Sequence, residues 1–129
     1  VALAKGERIA EGKDRFKTNI SVLNKFKKDL KFDKMYIASG GNDRVRNFAD
    51  ALVGSAAAAK DGSPLILSGN VASDKDLLVA ENFVKNNMTK NTNVFLVGST
   101  GVLSKNIENN MTKIVEDGSE DALEIISIE

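Results

Sequence analysis

The residue types that most often do chemistry are missing from this sequence. It contains no cysteine and no histidine. That excludes thiolate nucleophiles, zinc–thiolate sites, the commonest general base and the Ser-His-Asp arrangement. The groups that remain are carboxylates, hydroxyls, arginines and backbone amides. They favour binding over catalysis, and we expect no resident cofactor and no metal site.

A glycine-rich turn is the best candidate for holding an anion. The residues Gly98-Ser99-Thr100-Gly101 follow an apolar run and precede a helical pattern. Free N–H groups and the dipole at a helix start can hold a phosphate or a carboxylate there. The turn lacks the Gly-Lys-Ser/Thr of a phosphate-binding loop and the third glycine of a dinucleotide fingerprint. A tight strand-to-helix turn explains the same residues.

Three groups of charged residues are further candidates. Asp74 and Asp76 offer two carboxylates to Mg²⁺, although acids in the first turn of a helix also serve as caps. Asp50 lies near the start of an otherwise apolar helix, so we expect it to accept hydrogen bonds from the preceding loop or to contact a ligand. Arg44 and Arg46 lie in a glycine-rich loop and either grip an anion or point into water.

Three continuous apolar runs, residues 35–38, 65–67 and 94–97, predict the strands that position these groups. Their starts are about thirty residues apart, and each run stops at small, turn-forming residues. Continuous apolar runs are typical of strands covered on both faces. Their alternation with helical patterns predicts an α/β fold. We expect a three-layer sandwich with a central, mostly parallel sheet of about four or five strands and helices on both faces, Rossmann-like or Toprim-like.

Four helical patterns accompany the strands. The first, over residues 14–30, has Asp14 as its expected N-cap. The second, about residues 48–60, is apolar on every side, so we expect it to be buried on several sides, by the sheet or by a partner subunit. The third covers about residues 73–87, and the fourth follows Ser104. The side chains expected to be buried are Phe16, Ile20, Leu23, Phe26 and Leu30 in the first helix, Leu77, Leu78, Phe83 and Val84 in the third, and Leu103, Ile107, Met111 and Ile114 with the fourth.

The net charge is zero, but its distribution is uneven. The last fourteen residues carry six acids and no base, which leaves eighteen bases against twelve acids in residues 1–115. A basic body with an acidic tail is typical of a protein with an anionic partner. An ordinary solvated surface would give the same charge distribution. We expect one module over residues 1–116, followed over 117–129 by an acidic linker and an edge strand near residues 123–128. Another short strand is expected at residues 8–9.

No targeting or membrane segment is evident. The apolar runs fall well short of the ~20 residues that a membrane helix needs, so we expect no membrane insertion. The N-terminal apolar stretch is too short, and a charged residue follows it too early, for a secretory signal. We therefore expect either a cytoplasmic protein or a mature or excised part of a secreted one.

Five segments in order resemble one module of the cell wall binding repeat 2 family, found in surface and S-layer proteins of clostridia and related Gram-positive bacteria. They are GKDRFKT at 12–18, ASG at 38–40, NFADAL at 47–52, SPLIL at 63–67 and VGSTGVLS at 97–104. The resemblance covers residues 8–115. Phe16 stands where the family usually has tyrosine, Ala49 where it has proline and Ser99 where it has glycine, and the loop at 41–46 is longer than usual.

The resemblance implies a non-catalytic module that anchors a secreted protein at the cell wall by binding an anionic secondary wall polymer, a polysaccharide or teichoic-type polymer. Such modules usually assemble in threes, so other copies are expected partners, and nucleic acid is not. The motif positions are Asp14, Arg15, Thr18, Ser39, Asn47, Asp50, Ser68, Thr100 and Ser104. The candidate ligand-binding residues are Arg15, Ser39, Arg44, Arg46, Asn47, Asp50, Ser68, Ser99 and Thr100.

Two other functions stay open on the residues alone. One is a small phosphate-binding or Mg²⁺-dependent α/β enzyme that uses Asp74, Asp76 and the loop at Gly98. The other is a pure assembly domain whose alanine-rich helix forms an oligomer and whose loops bind nothing.

Overall fold

Helices and strands alternate along the whole described chain. The structure is a computed structural model that describes residues 9, 14–41, 48–118 and 124–126. The elements are α1 (Arg15–Lys25), β1 (Lys34–Ser39), α2 (Ala49–Asp61), β2 (Leu65–Ser68), α3 (Asp74–Asn87), β3 (Asn93–Val97), α4 (Lys105–Gly118) and β4 (Glu124–Ile126).

The strands form a parallel sheet in the order β2-β1-β3-β4. In the central register Ile37 of β1 lies between Ile66 of β2 and Leu96 of β3. The predicted α/β class with a parallel sheet is confirmed. β4 lies within the segment where an edge strand was expected, whereas the strand expected at residues 8–9 falls largely outside the described residues. The Rossmann-like or Toprim-like description stays a prediction.

The two faces of the sheet are covered unequally. Because side chains alternate along a strand, Met35 and Ile37 of β1 join the larger core beneath α1, α3 and α4. Tyr36 and Ala38, on the opposite face, join a smaller core beneath α2. Among the described residues, α2 is therefore the one helix that packs on this face, where it contacts β1, β2 and β3.

α2 buries one face and not several. Gly54 and Ala58 lie against the sheet, and a Cβ at Gly54 would come within 3.1 Å of Leu65 Cδ1. Leu52 and Val53 are 69% and 51% exposed. The expected burial on several sides is wrong within one chain, because α2 has no other element of that chain packed on its outer side among the described residues.

α1 is shorter than its apolar pattern predicted. Asp14 caps it as expected, accepting a hydrogen bond from Lys17 N at 2.9 Å. The helix ends at Lys25, and a 3₁₀ turn follows over Lys27–Asp29. Phe26 is consequently exposed, against expectation.

Two other features also differ from expectation: the burial of Leu78 and the end of α4. Leu78 on α3 is 54% exposed, where burial was expected, and it lies one residue away from the partly buried Leu77 and Val79. α4 continues through Gly118, so the first two residues of the expected linker, Asp117 and Gly118, belong to the helix.

α1 also closes the free edge of β2. The side-chain amide of Asn19 donates to Leu65 O at 2.9 Å and accepts from Leu67 N at 2.9 Å. These two backbone groups point away from β1, so one side chain substitutes for a neighbouring strand. An unpaired edge is a template for aggregation, and this pairing covers it.

Candidate ligand-binding site

The loops after β1, β2 and β3 meet at one edge of the sheet, because parallel strands all end there. The β1 and β2 loops are joined by a hydrogen bond from Gly40 N to Ser68 O at 2.9 Å. The β2 and β3 loops are joined by a hydrogen bond from Asn70 N to Val102 O at 3.0 Å. Ligands of open α/β sheets bind at this edge, so this is the candidate site.

Asn70 fixes two of these loops to each other. Its side-chain amide donates to Gly101 O at 2.9 Å, and its Oδ1 accepts from Ser104 N at 2.8 Å. The residue spans the gap between the β2–α3 and β3–α4 loops. Sequence reasoning missed it, because an asparagine in a Ser-Gly-Asn loop is typical of any turn. Its partners lie more than thirty residues further along the chain.

Ser39 and Ser68 lie beneath the surface at this edge. They are register partners at the ends of β1 and β2. Ser39 Oγ accepts from Gly41 N at 3.2 Å, which shapes the start of the β1 loop. Ser68 is 1% exposed, and among the described residues its Oγ has no hydrogen-bond partner. Both hydroxyls are covered in this structure and do not reach the surface of the module.

Arg15 is tied to the end of β1. Its Nη2 donates to Gly41 O at 3.2 Å, and its guanidinium lies 4.8 Å from the ring centre of Phe16. The first residue of α1 thus places a positive charge beside the β1 loop. Arg44, Arg46 and Asn47, which follow in that loop, lie outside the described residues.

Asp50 lies against the β3 loop. A Cβ at Gly98 would come within 2.9 Å of Asp50 Oδ2, and Gly98 has a φ of 138°. Burial raises the pKa of Asp50. None of the hydrogen bonds or ion pairs of the described residues reaches its carboxyl group. The expected acceptance of hydrogen bonds from the preceding loop falls on residues 42–47, which the structure does not describe.

The Gly98–Gly101 segment is a tight turn closed by hydrogen bonds to Ser99. Ser99 O accepts from Val102 N and Leu103 N, at 3.1 and 2.9 Å, and Ser99 Oγ accepts from Gly101 N at 3.3 Å. The tight-turn interpretation explains these contacts. They use the amide of Gly101 but not those of Gly98, Ser99 and Thr100, so anion binding at this turn stays a prediction.

The turn leads directly into α4. Ser104 accepts a hydrogen bond from Ile107 N at 3.3 Å with its Oγ and so caps the helix. A cavity of about 240 Å³ lies beside the turn. The exposed side chain of Thr100 and the Lys105–Glu108 ion pair of 2.8 Å line this cavity.

The two acids at the start of α3 differ in exposure: one is exposed to solvent and the other is buried. Ser73 caps the helix by accepting from Asp76 N at 3.2 Å. Asp74 is exposed and Asp76 is 5% exposed. Asp76 Oδ1 lies 3.7 Å from Lys17 Nζ, which is also 3.8 Å from Asp14 Oδ2. Lys17 therefore lies between Asp76 and Asp14, whereas Asp74, the other carboxylate of the Mg²⁺ hypothesis, takes part in neither ion pair.

The lowered pKa of Asp14 agrees with its position beside Lys17. Burial alone would raise the pKa of Asp14. The Lys17 backbone N–H, the neighbouring Asp76 carboxyl group and the Lys17 ammonium together hold the pKa below its usual value. Within the described part of the chain, no three His, Cys, Asp or Glu side chains are arranged to hold a metal ion.

Comparison with known proteins identifies the family. The family model described as cell wall binding domain 2 (CWB2) matches residues 8–108. The chain belongs to the CWB2 family. A similar solved structure is that of Cwp8 from Clostridium difficile, with a TM-score of 0.62 and 26% sequence identity. The likeness covers 92% of this chain and 17% of the Cwp8 chain. No curated protein matches the chain.

Membership of the CWB2 family supports a cell-wall-binding role and a cell-surface or cell-wall location. The match spans the carboxyl edge of the sheet, from α1 through the first residues of α4. No helix in the described part of this CWB2 module is long and apolar enough to cross a membrane.

Proposed function

We propose that this CWB2 module is a non-catalytic anchor that binds an anionic secondary polymer of a Gram-positive cell wall. The observation that carries the proposal is the family match over residues 8–108. Charge supports the anionic partner, since residues 1–115 hold eighteen bases against twelve acids and a positive surface attracts polyanions.

In this proposal the polymer lies across the carboxyl edge of the sheet. Arg15 supplies a guanidinium beside Gly41, and Arg44, Arg46 and Asn47 extend the same loop. Guanidinium groups suit phosphate and carboxylate because they offer several N–H donors in a fixed plane. The β3–α4 loop, which Asn70 joins to the β2–α3 loop, contributes Thr100 and the residues next to Ser99.

Asp50 has a different part in the site. A carboxylate would repel an anionic polymer, and burial already raises its pKa. We propose that Asp50 supports the Gly98 turn and limits where along the edge an anionic group can settle.

Association with further copies is the second part of the proposal. The exposed outer side of α2, at Leu52 and Val53, is an apolar surface on the only helix that covers that face among the described residues. Apolar side chains exposed together favour burial against a partner. A second module of the same kind, on another chain or in tandem, is the proposed occupant.

The test is sedimentation of the protein with purified C. difficile cell walls, before and after extraction of their anionic polymer. Untreated walls should bind it and extracted walls should not. Binding should weaken as salt rises toward molar concentrations, because the Debye length shrinks from about 8 Å to about 3 Å. EDTA should leave binding unchanged.

The arginines are tested with a charge-matched pair of variants. Arg44→Ala with Arg46→Ala should lower affinity about tenfold or more, since charge-assisted hydrogen bonds contribute about 1.5–3 kcal/mol each. The control, Lys28→Ala with Lys113→Ala, removes the same charge from exposed positions on other surfaces. Equal binding by the two variants would move the site away from this loop, and binding lost in EDTA would revive the carboxylate–metal hypothesis.

A further inference from the structure

A groove lined with asparagines lies between α1 and α3. Its volume is about 290 Å³. Its lining residues are Ile20, Asn24, Lys27, Val79, Asn82, Phe83, Asn86 and Asn87. Half of these are asparagines, and no carboxylate is among them.

The groove is separate from the loops at the carboxyl edge. α1 begins beside Gly41, beyond the end of β1, and the groove uses only the second half of α1 and the linker after it. α3 begins after β2, and the groove uses this helix only from Val79 onward. Both helices run back along the sheet, so the groove lies nearer the amino ends of the strands.

Three of the four asparagine side chains in the groove are available for a ligand. Asn24, Asn82 and Asn86 are exposed, and their side chains make no hydrogen bond to any residue in the described ranges. Asn87 Nδ2 donates to Phe83 O at 2.8 Å. An amide group offers both donors and acceptors without a charge, which is the pattern that a sugar hydroxyl also has.

The base of the groove is apolar. Ile20 and Phe83 are buried, belong to the main core and still line the groove, and Val79 packs beside them. A pyranose ring presents an apolar C–H face together with hydroxyls on its rim. Apolar walls with a few polar groups that fix orientation are typical of small-ligand sites, and 290 Å³ is near the lower limit of their usual size.

We infer that this groove binds uncharged sugar residues of a wall polysaccharide, as a site additional to the carboxyl edge. Lys27 is its single charged side chain and asparagines outnumber it four to one, so most of the polar groups in the groove suit an uncharged ligand. The inference rests on the proposed function, since the same polymer would supply anionic groups to one site and sugar rings to the other. Two weak sites on one polymer strengthen attachment through effective concentration.

The experiment follows the side-chain amide resonances of the whole chain by NMR. The probe is the neutral polysaccharide left when hydrofluoric acid removes phosphate esters from polymer of purified C. difficile walls. We expect shifts at Asn24, Asn82 and Asn86. Shifts confined to the carboxyl-edge loops, or no shifts at all, would overturn the inference.

Asn82→Ala with Asn86→Ala tests the groove without endangering the fold. Both positions are exposed on α3, and alanine is the better helix former. We expect about a tenfold loss of affinity for the neutral polysaccharide, from the loss of two hydrogen-bonding groups. The matched control is Asn106→Ala with Asn109→Ala, at exposed positions of α4, and it should bind as the parent does.

The outcomes separate the two proposals. If the parent sediments with walls and both double variants bind the neutral polysaccharide equally, the groove inference is wrong and the anchoring function stands. If the parent fails to sediment with walls but the groove asparagines shift with the polysaccharide, the groove binds sugar and the anchoring function is wrong.

Discussion

Tyr36, the single tyrosine of the chain, is held on the α2 side of the sheet by two contacts. Its hydroxyl donates to Asp61 Oδ2 at 2.7 Å, and its ring stacks on Phe95 with a centroid distance of 5.1 Å. Burial, the hydrogen bond and the negative charge of Asp61 raise the pKa of Tyr36 to about 12. In turn, the hydrogen bond from Tyr36 lowers the pKa of Asp61.

The phenol of Tyr36 should therefore ionise with a midpoint near pH 12, read directly from phenolate absorbance since the chain has no tryptophan. The folded-state pKa lies above the unfolded value of about 10. The stability that this group contributes is therefore fully present below about pH 10 and is lost as pH rises through about 12. In Asp61→Asn the midpoint should fall toward the ordinary value, and an unchanged midpoint would mean that the carboxylate has no influence.

Gly98 offers a second test at the scale of one residue. Its φ of 138° is a conformation that side-chain-bearing residues rarely adopt, and an added Cβ would come within 2.9 Å of Asp50 Oδ2 and of Val102 Cγ2. Gly98→Ala should therefore lower the free energy of unfolding by more than about 1 kcal/mol, measured by urea denaturation. Gly101→Ala is the control, because its Cβ would meet only Ser99 Oγ, at 3.4 Å, and a similar loss there would contradict this account.

Residue-level predictions from the sequence succeeded where the partner is close along the chain. Asp14 caps a helix that begins one residue later, and that signal is local. Asn19 and Asn70 bond to residues about thirty to nearly fifty positions away. Their side chains look like an exposed helix residue and a turn residue, so only the tertiary structure shows what they hold.

Among the elements, the loop after β2 and the loop after β3 behave as one unit because Asn70 joins them. Asn70→Ala removes two hydrogen bonds and should lower the free energy of unfolding by about 1–2 kcal/mol. Hydrogen exchange at the Ser104 amide, which loses its acceptor, should accelerate more than exchange in the strands.

The control for this change is Asn91→Ala, in another exposed turn, whose side chain makes no hydrogen bond within the described ranges. Its stability should stay within about 0.5 kcal/mol of the parent. If Asn70→Ala is equally mild and the Ser104 amide exchanges at the parent rate, the two loops are not coupled through this residue.

β1, β2 and β3 could be predicted well because each contains a continuous apolar run that is followed closely by glycine. Helix faces were harder to predict. Phe26 continues the three-or-four spacing of α1, but the helix ends at Lys25 and the chain turns toward β1, which leaves the ring exposed. Leu78 lies beside the buried stripe of α3 and not on it, so apolar character alone misplaced it.

At the scale of the molecule, the unequal cover of the sheet is the feature that the sequence did not predict. The alanine-rich pattern of α2 indicated a helix buried on several sides, by the sheet or by a partner subunit. Among the described residues, three helices pack on the opposite face and α2 alone covers this one. Helix composition does not say which apolar side packs on the sheet and which side stays exposed within the chain. The candidate loops could be located in the sequence from the strand ends alone. The groove between α1 and α3 is evident only from the packing of the two helices in the structure.

The outer side of α2 is the surface that we propose packs against a second module. Leu52 is 69% exposed, so Leu52→Glu costs no core packing, and glutamate is a good helix former. If a second module packs there, a charge in the interface should weaken self-association at least tenfold, since burying an unpaired carboxylate is costly. Sedimentation velocity over a wide concentration range measures this. Leu78→Glu, on α3 at the opposite face and 54% exposed, introduces the same charge and should associate as the parent does. A parent that stays monomeric at millimolar concentration, or equal weakening by both variants, would show that α2 does not pair with another copy.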